Sequence, residues 1–349
     1  MRLSVLDLVP VRTDQSTSDA LAATVRLAQT AERCGYARYW VAEHHNIPSV
    51  GATSPPVLIA HLAANTSQLR LGSGGMMLPN HAPLAVAEQF ALLEAAAPGR
   101  IDLGIGRAPG ADPVTSMVLR GWNGRDTAAI EQDLANFPEY LDDVVMLLGT
   151  PGVRVQLLNT EYVLRATPAA ASGPRVWLLG SSVYSAQLAA AKGLPYAFAH
   201  HLFGEGTEEA LALYRSQFVP SDLAAEPMTL VTVNAVVADT RQQATALMLP
   251  HLHMVARLQT GEPLGPLNLV EDAEAATLPP QQQRVADEEL NRAVVGTPAE
   301  AASQMRALAD RFGVEEVMVN PVASARLGAD PDSAPEREAT LERLAEALV

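Results

Sequence analysis

Short apolar runs alternate with longer mixed segments along nearly the whole chain. Most of these runs are apolar on both faces, which is typical of parallel strands covered by helices. The eight runs that we interpret as strands span residues 3–9, 38–43, 69–75, 100–106, 175–180, 196–200, 229–238 and 316–321. The pattern therefore predicts eight strands in sequence, each followed by a helical stretch.

Local signals mark where several of the intervening helices begin and end. Ser16 and Asp19 predict the start of the first helix, and Gly35 predicts its end. Thr297 and Glu300 flank a proline at the first helical position, which is the pattern of a capping box. These signals place helices between strands rather than inside them.

Eight strand–helix units leave two main architectures, a closed barrel and an open doubly wound sheet. A closed barrel needs one helix after each strand, and the chain offers one after each strand. We therefore predict a single (β/α)8 TIM barrel domain over residues 1–349.

Two regions interrupt the alternation. Residues 107–127 and 149–174 flank a predicted helix around 128–148, and the stretch VRVQLLNTEYVLRATP predicts a small hairpin before the fifth strand. Residues 258–283, after the seventh strand and its helix, are rich in Gly, Pro, Gln and acidic residues. A loop of that length is commonly a functional lid, so we predict a mobile lid there; a surface insertion without a role is the alternative.

Charge and composition narrow the class of protein. A formal net charge of -15 argues against nucleic acid and against an anionic membrane surface, since both favour a basic protein face. No apolar run approaches the ~20 residues that span a bilayer. The N-terminal stretch MRLSVLDLVPVRTD lacks the features of a secretory signal, and Cys34 is the single cysteine. These features predict a cytoplasmic protein with no nucleic-acid or membrane partner.

Polar and glycine-rich clusters follow five of the predicted strands. In a βα barrel the active site lies at the carboxyl ends of the strands, where these clusters would meet. The five clusters are Glu43–His45, Gly72–Met77, Gly104–Arg107, Gly180–Ser182 and His200–His201.

The two histidine pairs suggest proton chemistry more than metal binding. Adjacent strand residues point to opposite faces, so neither pair chelates a metal alone, and the chain has no HExxH or CxxC motif. A zinc site would need one histidine from each pair and a carboxylate, and we predict no metal. His44 is the candidate general base. Candidates for the substrate pocket are His45, Met76, His200 and His201, although a histidine at a strand end is also often structural.

A phosphate site is predicted between the fifth strand and its helix. Free backbone N–H groups at a helix start bind phosphate, and the hydroxyls of Ser181, Ser182 and Ser185 add donors. Arg107 could supply a charge-assisted contact. Simple N-capping by Ser182 is the alternative. Gly104 and Gly106 do not complete a dinucleotide fingerprint, because their spacing is GxGxxxG and no clean helix start follows.

Six segments together resemble the luciferase-like monooxygenase family over nearly the whole chain. Their order and spacing carry the resemblance more than any one of them does. They are YWVAEHHN (39–46), LRLGSGGMMLPNHAPLAVAEQF (69–90), PGRIDLGIGRAPG (98–110), LLGSSVYSAQLAA (178–190), LPYAFAHH (194–201) and the VGTPAEAASQM segment (295–305).

This resemblance implies a cofactor and a set of roles. Reduced FMN, or the deazaflavin F420 in some branches, would lie in the barrel mouth. Gly74 and Gly75 match the family's non-prolyl cis peptide against the flavin ring, and His44 matches the histidine that assists chemistry there. The matches to the phosphate contacts are Arg107, Gly180, Ser181, Ser182, Tyr184 and Ser185. The 258–283 segment matches the mobile lid.

The resemblance also implies a reaction. We expect a monooxygenase that takes reduced FMN from a separate flavin reductase, reacts with O2 through a flavin C4a-hydroperoxide, and oxidises, hydroxylates or epoxidises a small organic substrate. Light emission is not expected, because Gly106 stands where luciferase has a cysteine and no aldehyde tunnel is identified. The alternatives are an F420-dependent oxidoreductase, a non-catalytic flavin-binding relative and a metal-dependent barrel hydrolase. Apolar segments 54–64 and 84–97 predict a homodimer.

Overall fold

Eight parallel strands pair in chain order and close on themselves. The computed structural model describes residues 1–119 and 134–348. Its strands are β1 (Arg2–Asp7), β2 (Arg38–Val41), β3 (Arg70–Ser73), β4 (Met76–Met77), β5 (Ile101–Gly106), β6 (Val153–Leu157), β7 (Thr160–Leu164), β8 (Arg175–Gly180), β9 (Tyr196–Phe198), β10 (Thr229–Val237), β11 (Val294–Gly296) and β12 (Glu316–Pro321). The barrel order is β1-β2-β3-β5-β8-β9-β10-β12, and β12 pairs with β1. The predicted (β/α)8 barrel is therefore confirmed, with each predicted strand in its place.

Helices cover the outside of the barrel. They are α1 (Thr17–Arg33), α2 (Pro55–Ala63), α3 (Pro83–Ala96), α4 (Pro113–Leu119), α5 (Phe137–Leu148), α6 (Val183–Lys192), α7 (His200–Phe203), α8 (Thr207–Gln217), α9 (Arg241–Thr260), α10 (Val270–Ala275), α11 (Pro280–Arg292), α12 (Pro298–Phe312) and α13 (Pro335–Leu348). The helix start predicted at Ser16 and the capping box predicted at Thr297 are both present, and each is a capping box closed by the acidic side chain three residues on. Among the described helices, none combines the length and apolarity needed to cross a membrane.

A layer of large side chains fills the amino-terminal end of the barrel. Trp40 and Trp177 pack edge to face with ring centroids 5.5 Å apart. Below them the buried Arg38 donates to Asp102 at 2.6 Å and to Glu316 at 2.6 Å. These three charged residues lie at or near the starts of their strands. In the part of the chain that the structure describes, these side chains fill the barrel at this end, and the cleft opens at the carboxyl ends of the strands.

Three regions lie outside the eight barrel strands and their regular helices. Val294–Gly296 forms the short strand β11 beside the end of β10, which the sequence pattern did not reveal because three residues carry no periodicity. Residues 153–164 form the predicted hairpin, β6 with β7. The later part of the helix predicted around 128–148 is seen as α5. The first residues of the predicted range, 128–133, lie outside the described residues. The rest of the 107–127 region is likewise described only to residue 119.

The 258–283 segment is not the irregular loop that its composition suggested. It contains the end of α9, all of α10 and the start of α11. Its middle is also tied to the barrel, since the backbone N–H of Leu267 donates to the Val11 carbonyl at 2.8 Å and the N–H of Thr13 donates back to Leu267 at 2.9 Å. The segment is therefore largely helical despite its Gly- and Pro-rich composition, because its helices pack on their neighbours. That the segment moves as a lid stays a prediction.

Candidate functional site

A single cleft at the carboxyl ends of the barrel strands brings most of the predicted site residues together. It has a volume of about 830 Å³, counting the part open to solvent. The predicted residues that line it are His44, Gly74, Gly75, Arg107, Gly180, Ser181, Ser182, Ser185 and His201. They come from five different strand ends, so only closure of the barrel places them in one site.

Apolar side chains that the sequence analysis did not assign to the site form the remaining walls. They are Leu6, Leu8, Ala42, Met77, Ala108, Leu179, Ala199 and Leu202. Leu6 and Leu8 are two residues apart at the end of β1, so both point to the same side of the strand. That spacing could have indicated that both side chains face the site. The sequence analysis did not select the end of β1, because no polar cluster follows it. Gly106 also lines the cleft, and a Cβ there would lie 2.9 Å from the Met77 sulfur, so Met77 fills that space.

The Gly74–Gly75 peptide bond is cis, as the family resemblance implies. A Cβ at Gly74 would lie 2.7 Å from a methyl carbon of Leu6. A Cβ at Gly75 would lie 3.1 Å from both the Gly104 carbonyl oxygen and a methyl carbon of Leu179. A Cβ at either position would crowd these neighbours, and bare backbone forms this part of the cleft wall. A flat ring can approach such a wall closely.

The proposed phosphate end lies at the start of α6. Ser182 is the N-cap of α6 and forms a capping box with Ser185, whose hydroxyl is also 2.9 Å from the Tyr196 hydroxyl. The N-capping interpretation of Ser182 is thus correct, and it is compatible with anion binding because the residue also lines the cleft. Tyr184 does not line the cleft. Its ring instead supports Arg107, whose guanidinium carbon lies 4.4 Å from the ring centroid.

Two histidines line the cleft and are held neutral. Burial lowers the pKa of His44 below its usual value, while a hydrogen bond that its ring donates to the Gly110 backbone carbonyl partly offsets this effect. Burial likewise lowers the pKa of His201 to about 3. A ring nitrogen of His201 is hydrogen-bonded to the Thr232 hydroxyl on β10. At neutral pH both imidazoles are therefore uncharged, and the low pKa of His201 makes its ring a poor proton acceptor.

The sequence neighbours of His44 build a separate buried network. Glu43 is fully buried and accepts hydrogen bonds from ring nitrogens of His45 at 2.9 Å and His81 at 2.8 Å. Its other carboxylate oxygen accepts from the backbone N–H of Met77 at 2.8 Å. Burial opposes ionisation, but these hydrogen bonds hold the pKa of Glu43 below its usual value. His45 is thus turned away from the cleft, and Glu43 instead fixes the backbone of a cleft-lining residue.

Two further predicted pocket residues also lie elsewhere. His200 packs against Phe312 with ring centroids 5.0 Å apart and bonds to the Thr207 hydroxyl at 2.8 Å. Burial, with the charges of nearby arginines, lowers the pKa of His200 to about 4. Met76 is a core residue, and its neighbour Met77 is the one that lines the cleft. In each adjacent pair one member lines the cleft and the other does not.

The cleft has the features that a flavin mononucleotide requires. One end carries hydroxyls, the start of α6 and the Arg107 guanidinium, which suit a phosphate. The other end is bounded by the glycine pair and by leucines, which suit an aromatic ring. Within the described ranges no cluster of three or more His, Cys, Asp and Glu side chains is arranged to hold a metal ion.

Comparisons with known proteins agree with this geometry. A family model described as luciferase-like monooxygenase matches residues 1–316. A luciferase-like monooxygenase of Escherichia coli (strain K12) is 39% identical over 317 residues, covering 91% of this chain and 90% of that protein. An N-acetyl-S-alkylcysteine monooxygenase of Bacillus subtilis (strain 168) is 41% identical over 220 residues, covering 62% of each chain.

A solved structure extends the likeness to the whole fold. The crystal structure of apo-MsnO8 superimposes with a TM-score of 0.85 at 33% sequence identity. The match covers 99% of this chain and 98% of that one. The two proteins therefore share the barrel and its additional elements, not only the eight core strands.

Proposed function

The chain belongs to the luciferase-like monooxygenase family, and on that premise we propose that it uses reduced FMN and O2 to oxidise a small organic substrate. The observation that carries the proposal is the single cleft that joins the cis Gly74–Gly75 wall, the Arg107 and Ser182 phosphate end and a neutral His44. These features come from separate strand ends, and closure of the barrel brings them into one cleft.

Different residues would bind the phosphate and the ring of the cofactor. Ser181, Ser182 and Arg107 would bind the terminal phosphate, with Tyr184 keeping the arginine in place. Gly74 and Gly75 would lie against the ring. When bound, reduced FMN supplies the two electrons by which one atom of O2 is transferred to the substrate and the other leaves as water.

His44 would accept and donate protons beside the flavin ring. Since burial keeps it neutral, one of its ring nitrogens can take up a proton as the substrate is oxidised and return it as water forms. Leu6, Leu8 and Leu179 exclude water from the apolar part of the cleft, which protects reactive oxygen species from unproductive breakdown. We propose that a separate reductase delivers the reduced cofactor, because the chain lacks a dinucleotide fingerprint.

An anaerobic titration with reduced FMN, followed by oxygen-uptake assays, tests this function. The substrate panel should include a thioether, since one relative is named for oxidising an S-alkylcysteine derivative. We expect His44→Ala to bind reduced FMN but to lose most substrate-dependent oxygen uptake. Gln242→Ala, an exposed position on α9, is the control.

Other outcomes would replace the proposal. Binding of F420 in place of FMN, with oxygen-independent turnover, would indicate hydride transfer on the same barrel. Tight binding of oxidised flavin without turnover would indicate a non-catalytic relative. Loss of activity to a chelator would indicate metal-dependent hydrolysis.

We also propose a homodimer through α2 and α3. Val57 on α2 is 68% exposed and Leu92 on α3 is 58% exposed, so both helices present apolar side chains outward. Light scattering should give twice the chain mass, and Leu92→Asp should shift the protein toward monomer. A wild-type monomer at micromolar concentration would refute this assembly.

A further inference from the structure

The hairpin between α5 and β8 lies away from the cleft. In the described part of the chain its strands, β6 and β7, pair only with each other. Connections from a helix to the next strand lie at the amino-terminal ends of the barrel strands, and the cleft lies at the carboxyl ends. An isolated two-stranded hairpin is marginally stable in water, so this one needs a surface that supports it.

The two faces of the hairpin differ in polarity. Side chains alternate along each strand, so every second residue shares a face with its cross-strand neighbours. The apolar hairpin face is formed by Val153, Val155, Leu157, Thr160, Tyr162 and Leu164. The opposite face is formed by Arg154, Gln156, Glu161 and Val163, and Arg154 is paired with Glu161 at 2.6 Å. Strands of this alternating composition normally bury their apolar face.

The apolar hairpin face is covered only at its base in the described part of the chain. Val153 packs against a cluster that includes Ala87 and Ala91 of α3. Just after the hairpin, the Thr167 hydroxyl donates to the Glu88 carboxylate of α3 at 3.0 Å. Leu157, at the far end of β6, is 60% exposed. The hairpin is thus fastened beside α3, and the remainder of its apolar face, about 16 Å long, meets solvent.

Leu158, at the tip of the hairpin, is unfavourable in two respects. Its φ is +53°, which glycine adopts without strain and leucine rarely adopts. Its side chain is also 89% exposed. Two-residue hairpin loops ordinarily carry Gly, Asn or Asp at such a position. A leucine there costs stability in the isolated chain, and an apolar contact with another molecule would offset that cost.

A second copy of this chain fits the uncharged surface beside the hairpin. The exposed positions within α2 and α3 carry no acid, lysine or arginine; they are Val57, Ala60, His61, Ala85, Gln89, Leu92, Ala95 and Ala96. A formal net charge of -15 makes copies repel one another, so close contact between them favours surface without charge. An isologous contact joins the same patch on both copies, and an uncharged apolar patch complements itself.

The size of a stable interface also calls for more than these two helices. Such an interface takes about 20–30 residues from each partner. The exposed positions of α2 and α3 number eight, and four of them are alanines. The apolar hairpin face and Leu158 add larger side chains next to α3, and so bring the contact closer to the required size.

We propose that the apolar hairpin face and Leu158 dock on a second copy of this chain, so that each copy extends an arm along the flank of its partner. The location of the partner rests on the proposed homodimer through α2 and α3. The contact removes Leu157, Leu158 and Tyr162 from water, whereas Arg154 and Glu161 stay on the solvent side.

Sedimentation equilibrium of the full-length chain measures the dimer Kd and tests the contact. Leu157→Ser removes a large side chain from the apolar hairpin face, and Gln156→Ser is the matched control on the opposite face of the same strand. We expect Leu157→Ser to raise the dimer Kd at least tenfold, because each dimer loses two buried leucine side chains. Gln156→Ser should change the dimer Kd by less than about twofold.

Leu158→Gly separates docking from folding. Glycine adopts the positive φ of the tip without strain, so this variant should unfold at the same urea concentration as wild type or a higher one, when both are dilute enough to be monomeric. We nevertheless expect its dimer Kd to rise at least tenfold. Hydroxyl-radical footprinting of wild type should also show Tyr162 oxidised severalfold less in the dimer than in the dilute monomer.

The results separate this contact from the other proposals. If Leu157→Ser and Leu158→Gly dimerise as Gln156→Ser does, or if Tyr162 is oxidised equally in monomer and dimer, the hairpin contact is overturned. A dimer that survives Leu92→Asp but is weakened by Leu157→Ser would overturn the pairing of α2 with α3 and leave the hairpin contact standing. A wild type that is monomeric at micromolar concentration would overturn both. Reduced FMN should bind all three hairpin variants as it binds wild type, so failure of flavin binding would leave this test unaffected.

Discussion

Replacing Glu43 by glutamine should destabilise the protein and loosen one wall of the cleft. The Glu43 carboxylate is fully buried and accepts from two histidine rings and from the Met77 backbone. Asn80 adds a fourth, longer contact at 3.3 Å. A glutamine keeps the shape of the side chain but turns one acceptor oxygen into a donor, so at least one of these donors must face another donor.

The expected cost follows from the burial of this network. Hydrogen bonds to a charged group contribute about 1.5–3 kcal/mol, and leaving one buried donor unsatisfied costs a similar amount. We expect Glu43→Gln to lower the free energy of unfolding by about 2 kcal/mol at neutral pH. Glu88→Gln, which alters a partly exposed carboxylate on α3, should change it by less than about 0.5 kcal/mol.

The pH dependence of that difference is a sharper test. The pKa of Glu43 is lowered in the folded state, so its stabilisation is fully present above the unfolded-state value and is lost as the pH falls through the folded value. The gap between wild type and Glu43→Gln in urea denaturation should therefore be constant near neutrality and close in acid. A gap that persists unchanged well below pH 4 would refute the reasoning.

The same substitution should also affect ligand binding, because Met77 lines the cleft. We expect the Kd for reduced FMN to rise severalfold while the barrel stays folded, as checked by circular dichroism at a temperature below the variant's melting transition. An unchanged Kd would show that Glu43 stabilises the fold without positioning the cleft.

Three further substitutions test other parts of the structure. Gly180→Ala should weaken FMN binding by at least about tenfold, because the alanine Cβ would collide with the Ser185 hydroxyl at the start of α6. An unchanged dissociation constant in a fluorescence titration would exclude Gly180 from the cofactor site. Arg107→Met should weaken FMN binding by about tenfold and riboflavin binding hardly at all, since riboflavin lacks the phosphate. Equal effects on both ligands would contradict the assignment of Arg107 to the phosphate. Arg38→Leu should cost about 3–5 kcal/mol in urea denaturation, because it removes the close cation of the buried Glu316 and leaves Asp102 with Arg70 alone. A cost below about 1 kcal/mol would contradict the importance of this ion network.

Local patterns in the chain were sufficient to predict the architecture. The eight barrel strands, the hairpin before the fifth and the helix starts at Ser16 and Thr297 each carry a signal within a few residues. Periodicity and capping are local properties, so they survive without knowledge of the fold. The helices α10 and α11 within 258–283 were not predicted, because they are stabilised by packing on their neighbours and composition does not record packing.

Local patterns also placed the site at the strand ends, and glycines and polar residues there were correctly expected to converge. What they could not decide was which member of an adjacent pair faces the cleft. His44 and His201 face it, while His45 and His200 are held by Glu43 and Thr207. That choice depends on the twist of each strand end and on partners distant in sequence.

Tertiary structure alone supplied the groups that no motif marks. Leu6 and Leu8 belong to the cleft because the barrel closes through β1. Each is an ordinary residue in its local sequence. The sequence by itself determined where along the chain strands, turns and glycine clusters fall, since these depend on near neighbours. Only the closed barrel decided which of those residues share a site, because proximity between strand ends is a long-range property.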